Sequence, residues 1–294
     1  MEFGAFIIPY LVLFSFVACF ATAMQITGNL RKMSTELVSN IPQYTLKMRD
    51  VLDPLESIDM NVLIGKPIRI EYEGYINSVI SGQKINKAFG EGLTYQEFME
   101  SPLASPSIMR PELSEIHNGI AIRDYEWEMK HHLQPHVVYI ALTSNYKVGV
   151  TRDTNMPYRW IDQGATQAIV LAEVPYRQLA GLIEVSLKGH ISDKTAWQRM
   201  LKGIVEVDKT IIEVRDEMAI LVPAEYQHYL VSTPDITEIN FPVEQYPEKV
   251  KSLKLEKVKV IESKLVGIKG QYLILEDGVM NVRSHAGCRV TLEV

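Results

Sequence analysis

Thiols are nearly missing from this chain: 294 residues contain two cysteines, Cys19 and Cys288. So placed, they build neither a disulfide framework nor a thiolate metal site, and their scarcity fits a reducing compartment such as the cytoplasm. An excess of positive charge is lacking too. Thirty Lys and Arg face 36 Asp and Glu, a net charge of −6, so the chain as a whole does not advertise a nucleic-acid binder. There is no G-x-x-x-x-G-K-[ST] loop and no G-x-G-x-x-G turn, and no small-molecule cofactor is evident. H-E-x-x-H and G-x-S-x-G are absent as well, which removes two hydrolase signatures. What is present is ordinary for a globular protein: 47% hydrophobic and 22% charged residues. The length suits two domains or one with insertions.

The charge is uneven. Residues 145–203 hold eight Lys/Arg against five Asp/Glu, residues 205–247 two against nine, and residues 249–269 seven against two. An acidic block between two mildly basic ones permits a local anion-binding face, though each block also reads as solvated surface.

Residues 3–23 carry no charge and are rich in Phe, Leu, Ile, Val and Ala, enough to span a bilayer. Three readings stand. The run can be an anchor, with Arg31, Lys32, Lys47 and Arg49 holding the C-terminal body in the cytoplasm. It can be a secretory signal ending in Ala21-Thr22-Ala23, although no Lys or Arg precedes it. Or it can be a start-site artefact, with Met24 the first residue.

From Met24 the text is β-rich. Gln25–Met33, Gln43–Met48 and Lys66–Tyr75 read as strands, the last with near period-two alternation. Residues 76–106 are turn-rich and read as an insertion. Residues 107–135 are dense in ionisable groups, and a metal site from His131, His132 and His136 competes there with hydrogen-bonded or surface histidines. Residues 205–221 keep helical spacing and predict a long amphipathic helix. Strands return at Glu238–Phe241, Lys257–Ile268, Gln271–Glu276, Val279–Arg283 and Arg289–Val294, with Asp277-Gly278 as a hairpin turn.

The centre is the most informative stretch. Val137–Leu142 and Tyr146–Thr151 form a predicted hairpin across Thr143-Ser144-Asn145. A helix follows at Pro157–Gln163, then a strand at Ala168–Val174 and an apolar helix at Tyr176–His190. Within that last helix sits Glu184. A buried carboxylate costs several kcal/mol unless a cation, a metal or an open cleft meets it.

Hairpin, helix, strand, and helix with an embedded glutamate is an order that resembles the GIY-YIG nuclease superfamily. The resemblance implies Tyr139 and Arg159 as catalytic residues and Glu184 as the ligand of a divalent ion, Mg²⁺ by its chemistry. It places Lys147 where the superfamily has its second signature tyrosine, with Tyr146 on the opposite face of the strand. Lys147 and Arg152 would then add charge for nucleic acid. Each has a plain alternative: Tyr139 as a core aromatic, Arg159 as the ion-pair partner of Glu184, Lys147 as a surface lysine.

A second resemblance runs from Met24 to the C-terminus. The phrases GNLRKM, IMRPELSEIHNGIAIRDYEWE, LQPHVVYIA, YKVGVTR, PYRWIDQGA, AGLIEVSLK, HISDKTAWQRML, NFPVEQYP and GIKGQYLILEDG resemble the bacterial DUF2797 family, which carries no assigned activity. Members begin near Met24, which favours the start-site reading of the leader. They also carry a C-x₂-C…C-x₂-C zinc knuckle whose positions here are Asn77, Ile80, Thr94 and Glu97. The expectation is no structural zinc, with residues 76–102 mobile or repacked around Ile80, Phe89 and Phe98.

The expected fold is α+β. Residues 24–75 and 238–294 form a β-rich domain, 76–106 a degenerate knuckle insertion, and 107–237 a GIY-YIG-like α/β unit with following helices. The expected function is nucleic-acid interaction, as a metal-dependent nuclease or a degenerate relative. The alternative is a non-catalytic module, using Lys249, Lys251, Lys254, Lys257 and Lys259 on RNA, DNA or a protein, or a membrane-linked scaffold.

Overall fold

A computed structural model describes residues 24–294. Among these no helix is long and apolar enough to cross a membrane; the apolar run at 3–23 lies outside the described residues.

The first β-rich segment comprises β1 (Gln25–Leu30), β2 (Ser34–Val38), β3 (Ile41–Leu46), β4 (Met48–Asp50), β5 (Asp53–Pro54), β6 (Ile58–Asp59) and β7 (Pro67–Asn77). β8 (Lys84–Ile85), α1 (Tyr95–Glu100), α2 (Pro106–Met109) and α3 (Tyr125–His132) lead to the centre. There β9 (His136–Leu142), β10 (Tyr146–Arg152), α4 (Tyr158–Asp162), β11 (Gln167–Val174) and α5 (Arg177–Leu187) follow one another. α6 (Trp197–Leu201), α7 (Ile211–Leu221) and β12 (Ile236–Glu238) precede the tail of β13 (Val260–Lys269), β14 (Tyr272–Leu275), β15 (Gly278–Asn281) and β16 (Cys288–Glu293).

The two ends of the described chain build one sheet, ordered β15-β14-β13-β7-β16-β1-β4-β5 with β8 on β7. β16 lies between β1 and β7, antiparallel to both, so the last strand closes on the first. The α+β expectation, with terminal segments packed together, holds. A second sheet, β10-β9-β11-β12, is the centre, and β2-β3-β6 is a third.

Side-chain alternation divides the central sheet between two cores. Val137, Tyr139 and Ala141 join Trp160, Ile161 and the large sheet's Ile68, Ile70, Leu265 and Val290. Val138, Ile140 and Leu142 face the other way, under Ala180, Ile183 and Leu187 of α5 and Ile211, Val214 and Met218 of α7. Period-two burial on both faces is why β9 is apolar after His136.

Three elements differ from expectation. β2 and β3 form a hairpin where only the second strand was expected; Ser39 and Asn40 at φ 49° and 65° supply its turn. α7 starts at Ile211 rather than Val205, because Thr210 and Glu213 make a reciprocal capping box there. The strand expected at Glu238–Phe241 lies at Ile236–Glu238 and pairs with β11 in the central sheet.

In the insertion, Glu97 takes the organising place. Its Oε2 accepts from Ser78 Oγ at 2.6 Å and from the Thr94 N–H at 2.8 Å, while Thr94 Oγ1 caps α1. Burial alone would raise the Glu97 pKa, but these donors and Ser81 outweigh it and hold the carboxyl down at about 2. Asn77 accepts from Asn29 at 2.9 Å and donates to the Gly82 carbonyl. Phe89 and Phe98 pack at 6.3 Å between centroids, but Ile80 is exposed and anchors nothing.

Lys269 is buried with no carboxylate partner among the described residues, its Nζ 5.3 Å from the ring centroids of Phe241 and Tyr246. Burial lowers its pKa to about 8. The unfolded chain therefore binds the extra proton between about pH 8 and the ordinary lysine value, and stability rises with pH across that window.

Lys269→Met is expected to stabilise the fold by about 1–3 kcal/mol at pH 7. Urea titration at pH 7 and pH 10 reads this: the gain should shrink at the higher pH. Glu97→Ala is expected to lose about 1–2 kcal/mol and amide protection across 76–101, and metal analysis of the wild type should find well under one equivalent of zinc.

Candidate functional site

α5 carries a polar stripe on a largely apolar helix. Arg177, Gly181, Glu184 and Lys188 recur at intervals of four, three and four, so they share one side. Ala180, Ile183 and Leu187 occupy the core side. Gly181 is required by close approach: a Cβ there would lie 2.2 Å from the Glu112 nitrogen. This lets the 3-10 turn Pro111–Leu113 rest on α5. Arg177 locks the contact by donating from Nε to the Ser107 carbonyl at 2.9 Å and from Nη2 to the Ile108 carbonyl at 3.0 Å.

Tyr139 is buried on the opposite face of the sheet. Its hydroxyl donates to Gln163 Oε1 at 2.9 Å, and its ring meets Trp160 edge-on at 5.9 Å. Gly149 stands opposite it on β10, where a Cβ would fall 2.6 Å from the Tyr139 oxygen. Burial raises the phenol's pKa; Arg159 and Gln163 oppose that shift and Glu184 adds to it. Lys147 is two residues from Gly149, hence on the Tyr139 face. Tyr146 points the other way and donates to the Lys209 carbonyl at 2.7 Å.

β10 is the outer strand of its path in the sheet, and Ser192 pairs alongside it in a parallel bridge at Lys147. Around that edge, groups from both faces come within electrostatic range. Lys147 is 6% exposed, and burial, helped by Arg159 and opposed by Glu184 and Asp193, lowers its pKa to about 8. Arg177 is held at about 10 by burial, with Glu184 raising, Arg159 and Arg152 lowering, and Glu112 raising. Glu184 is 8% exposed, and burial raises its pKa against the pull of Lys188, whose Nζ lies 3.4 Å from Oε2; Asp193 and Glu112 raise it further.

Of the residues singled out in the sequence, Tyr139, Lys147, Arg159 and Glu184 thus share one electrostatic neighbourhood, and Arg152 joins it through Arg177. The ion-pair partner of Glu184 is Lys188 rather than Arg159. Among the described residues Arg159 has no ion pair. Sequence reasoning missed Arg177, Lys188, Asp193 and Glu112. The first two carried a signal, because both repeat on the Glu184 side of the helix.

The three histidines do not form a metal cluster; among the described residues no three His, Cys, Asp or Glu side chains do. His131 Nδ1 accepts from Arg152 Nη1 at 2.9 Å, His132 Nδ1 lies 3.1 Å from Ser114 Oγ, and His136 Nδ1 donates to the Gln134 carbonyl at 2.7 Å. Burial, abetted by Arg177, lowers His132 to about 3, and burial lowers His136 to about 4, so both are neutral near pH 7. A hollow of about 240 Å³ lined by Tyr146, His190, Ser192, Lys209 and Glu217 lies beside the hairpin turn, away from Tyr139 and Arg159.

Counted together, Lys147, Arg152, Arg159, Arg177 and Lys188 face Glu112, Glu184 and Asp193. With Asp153, which neighbours Arg152 beside His136, the excess is a single positive charge, before the exposed Arg110, which pairs with Glu112, is included. In low dielectric such an excess favours an anion.

A family model described as "Protein of unknown function (DUF2797)" matches residues 65–290. No curated protein and no solved structure matches the chain.

Gly149→Ala is expected to push Tyr139 off Gln163 and cost about 1–3 kcal/mol, measured by denaturant unfolding.

Proposed function

The chain belongs to the DUF2797 family, whose description assigns no activity, and from that starting point we propose that it binds nucleic acid by gripping phosphate at the β10 edge. The observation that carries the reading is the excess of buried and half-buried cations around one carboxylate. Tyr139, Lys147 and Arg159 contribute from one face of the central sheet, and Arg177, Glu184 and Lys188 from α5. Hairpin, helix, strand and helix in this order support a GIY-YIG-like reading of the region. Guanidinium groups suit phosphate through paired donors, and the lysines act as point charges. The exposed lysines 249, 251, 254, 257 and 259 can lengthen the backbone footprint.

The donor set fits a resident Mg²⁺ poorly. Mg²⁺ is usually held by one or two carboxylates and substrate phosphates, but Glu184 already has Lys188 at 3.4 Å and further cations around it. In the phosphate-gripping reading Lys147, standing at the second signature position, supplies positive charge directly, and Glu184 limits repulsion among the cations.

The two roles of Glu184 predict opposite signs. Fluorescence anisotropy with a single-stranded oligonucleotide should give salt-sensitive binding that Arg159→Ala weakens by about tenfold, with the salt slope falling by about 1. Glu184→Gln should strengthen binding with or without Mg²⁺. Weaker binding in Glu184→Gln, together with loss of Mg²⁺-dependent cleavage, would instead select the metal-dependent nuclease. No binding by the wild type would remove the nucleic-acid reading.

A further inference from the structure

We infer that a hollow of about 300 Å³ between the insertion and the C-terminal tail binds a small zwitterion with an apolar body, by its chemistry a free apolar α-amino acid. The site lies in the β-rich part of the chain and is independent of the phosphate-gripping reading. Its walls, its floor and its charges carry the inference.

The walls are held in place by contacts of their own. One is residues 86–90 of the insertion, the other residues 284–286 before β16. Phe89 and Leu93 exchange backbone hydrogen bonds at 2.9 and 3.0 Å, which turns the first wall back on itself. Arg283 Nε donates to Glu91 Oε1 at 2.7 Å and ties the first wall to the second. At Gly92 the two approach so closely that a Cβ would lie 2.6 Å from the Ala286 carbonyl oxygen. The hollow is thus preformed, and it is at the small end of ligand pockets, the size for a metabolite of few atoms.

The floor is apolar. Ile76 of β7 and Cys288 of β16 are paired neighbours in the large sheet, 4% and 1% exposed, and Ala88 and Ala286 add apolar surface beside them. Burial pushes the Cys288 thiol up to about 12, so it stays protonated and packs as a small hydrophobic group. Such a floor takes an aliphatic or thioether side chain.

Lys87 and Glu256 line the same hollow with opposite charges. Among the described residues Lys87 makes no ion pair; its Nζ stands 5.1 Å from the Phe89 ring centroid. Glu256 has His285 beside it, with Nε2 3.8 Å from Oε2. That imidazole is already engaged: Nδ1 donates to the Asn281 carbonyl at 2.7 Å, and Nε2 accepts from the Leu255 N–H at 3.2 Å. Nε2 therefore presents a lone pair in place of a proton and gives Glu256 no cation. A ligand carrying both signs satisfies both residues, its ammonium at Glu256 and its carboxylate at Lys87. A ligand of one sign would leave the other charge uncompensated next to a bound apolar body.

Isothermal titration calorimetry of the full chain with L-valine, L-leucine and L-methionine tests this. At least one should bind with millimolar affinity or better. The corresponding amine without the carboxylate, and the acid without the amine, should each bind at least about tenfold more weakly, because each loses one charge-assisted contact. Lys87→Met and Glu256→Gln should weaken binding by about the same factor. Both side chains are exposed, so thermal melting without ligand should be unchanged, which separates a lost contact from a lost fold. Glycine, which has no apolar body, should bind more weakly than the other three. Failure of all three amino acids to bind overturns the inference. So does an amine, an acid or glycine that binds as tightly as the best of them, and so does binding that survives both substitutions. None of these outcomes bears on the nucleic-acid reading.

Discussion

One carboxylate among more cations than it can balance is the constraint from which the rest of the centre follows. Glu184 sits at 8% exposure on a helix that also buries Ala180, Gly181, Ile183 and Leu187. Left alone it would cost several kcal/mol. Lys188 one turn later and Arg177 about two turns earlier offset that cost. The surplus positive charge contributed by Lys147, Arg152 and Arg159 then has no partner within the cluster. An uncompensated cation group in a recessed place is what an anion site requires.

The scaffold explains how the groups are held. β9 is buried on both faces, so its register is fixed, and β10 inherits that register through seven paired residues. Gly149 clears the volume that the Tyr139 ring fills, and Gly181 clears the volume that the Pro111–Leu113 turn fills. The large sheet seals the Tyr139 side of the centre and α7 the other. Ser192 pairs beside Lys147 along the outer side of β10.

The hairpin, α4, β11 and α5 were legible in the sequence because each obeys one period and ends on a recognisable signal: Gly164 after α4, Pro175 after β11. Tyr139, Lys147, Arg159 and Glu184 were legible by their places in that order. The anchoring of Arg177 and the place of Glu112 were not, because they depend on a turn about 70 residues upstream docking on α5, a long-range event that local pattern does not encode. The start of α7 was misplaced because Val205 and Val207 imitate helical spacing, while the capping box that decides the boundary is a short polar signal. In the insertion, the missing thiolates were plain, but the carboxylate hub that replaces them was not: Glu97 reads as surface until Ser78, 19 residues away, donates to it.

The ionisation of Lys147 tests the central claim most directly. Its ammonium is destabilised by burial and by Arg159, and titrates at about 8. An anion bound between Lys147, Arg159 and Arg177 must favour the protonated amine, by linkage. NMR titration of the lysine side chains, at constant ionic strength with and without inorganic phosphate, should show two depressed lysines, Lys269 and one that is lost in Lys147→Met, and only the latter's pKa should climb when phosphate is added. A Lys147 pKa that stays fixed with phosphate present would contradict the account.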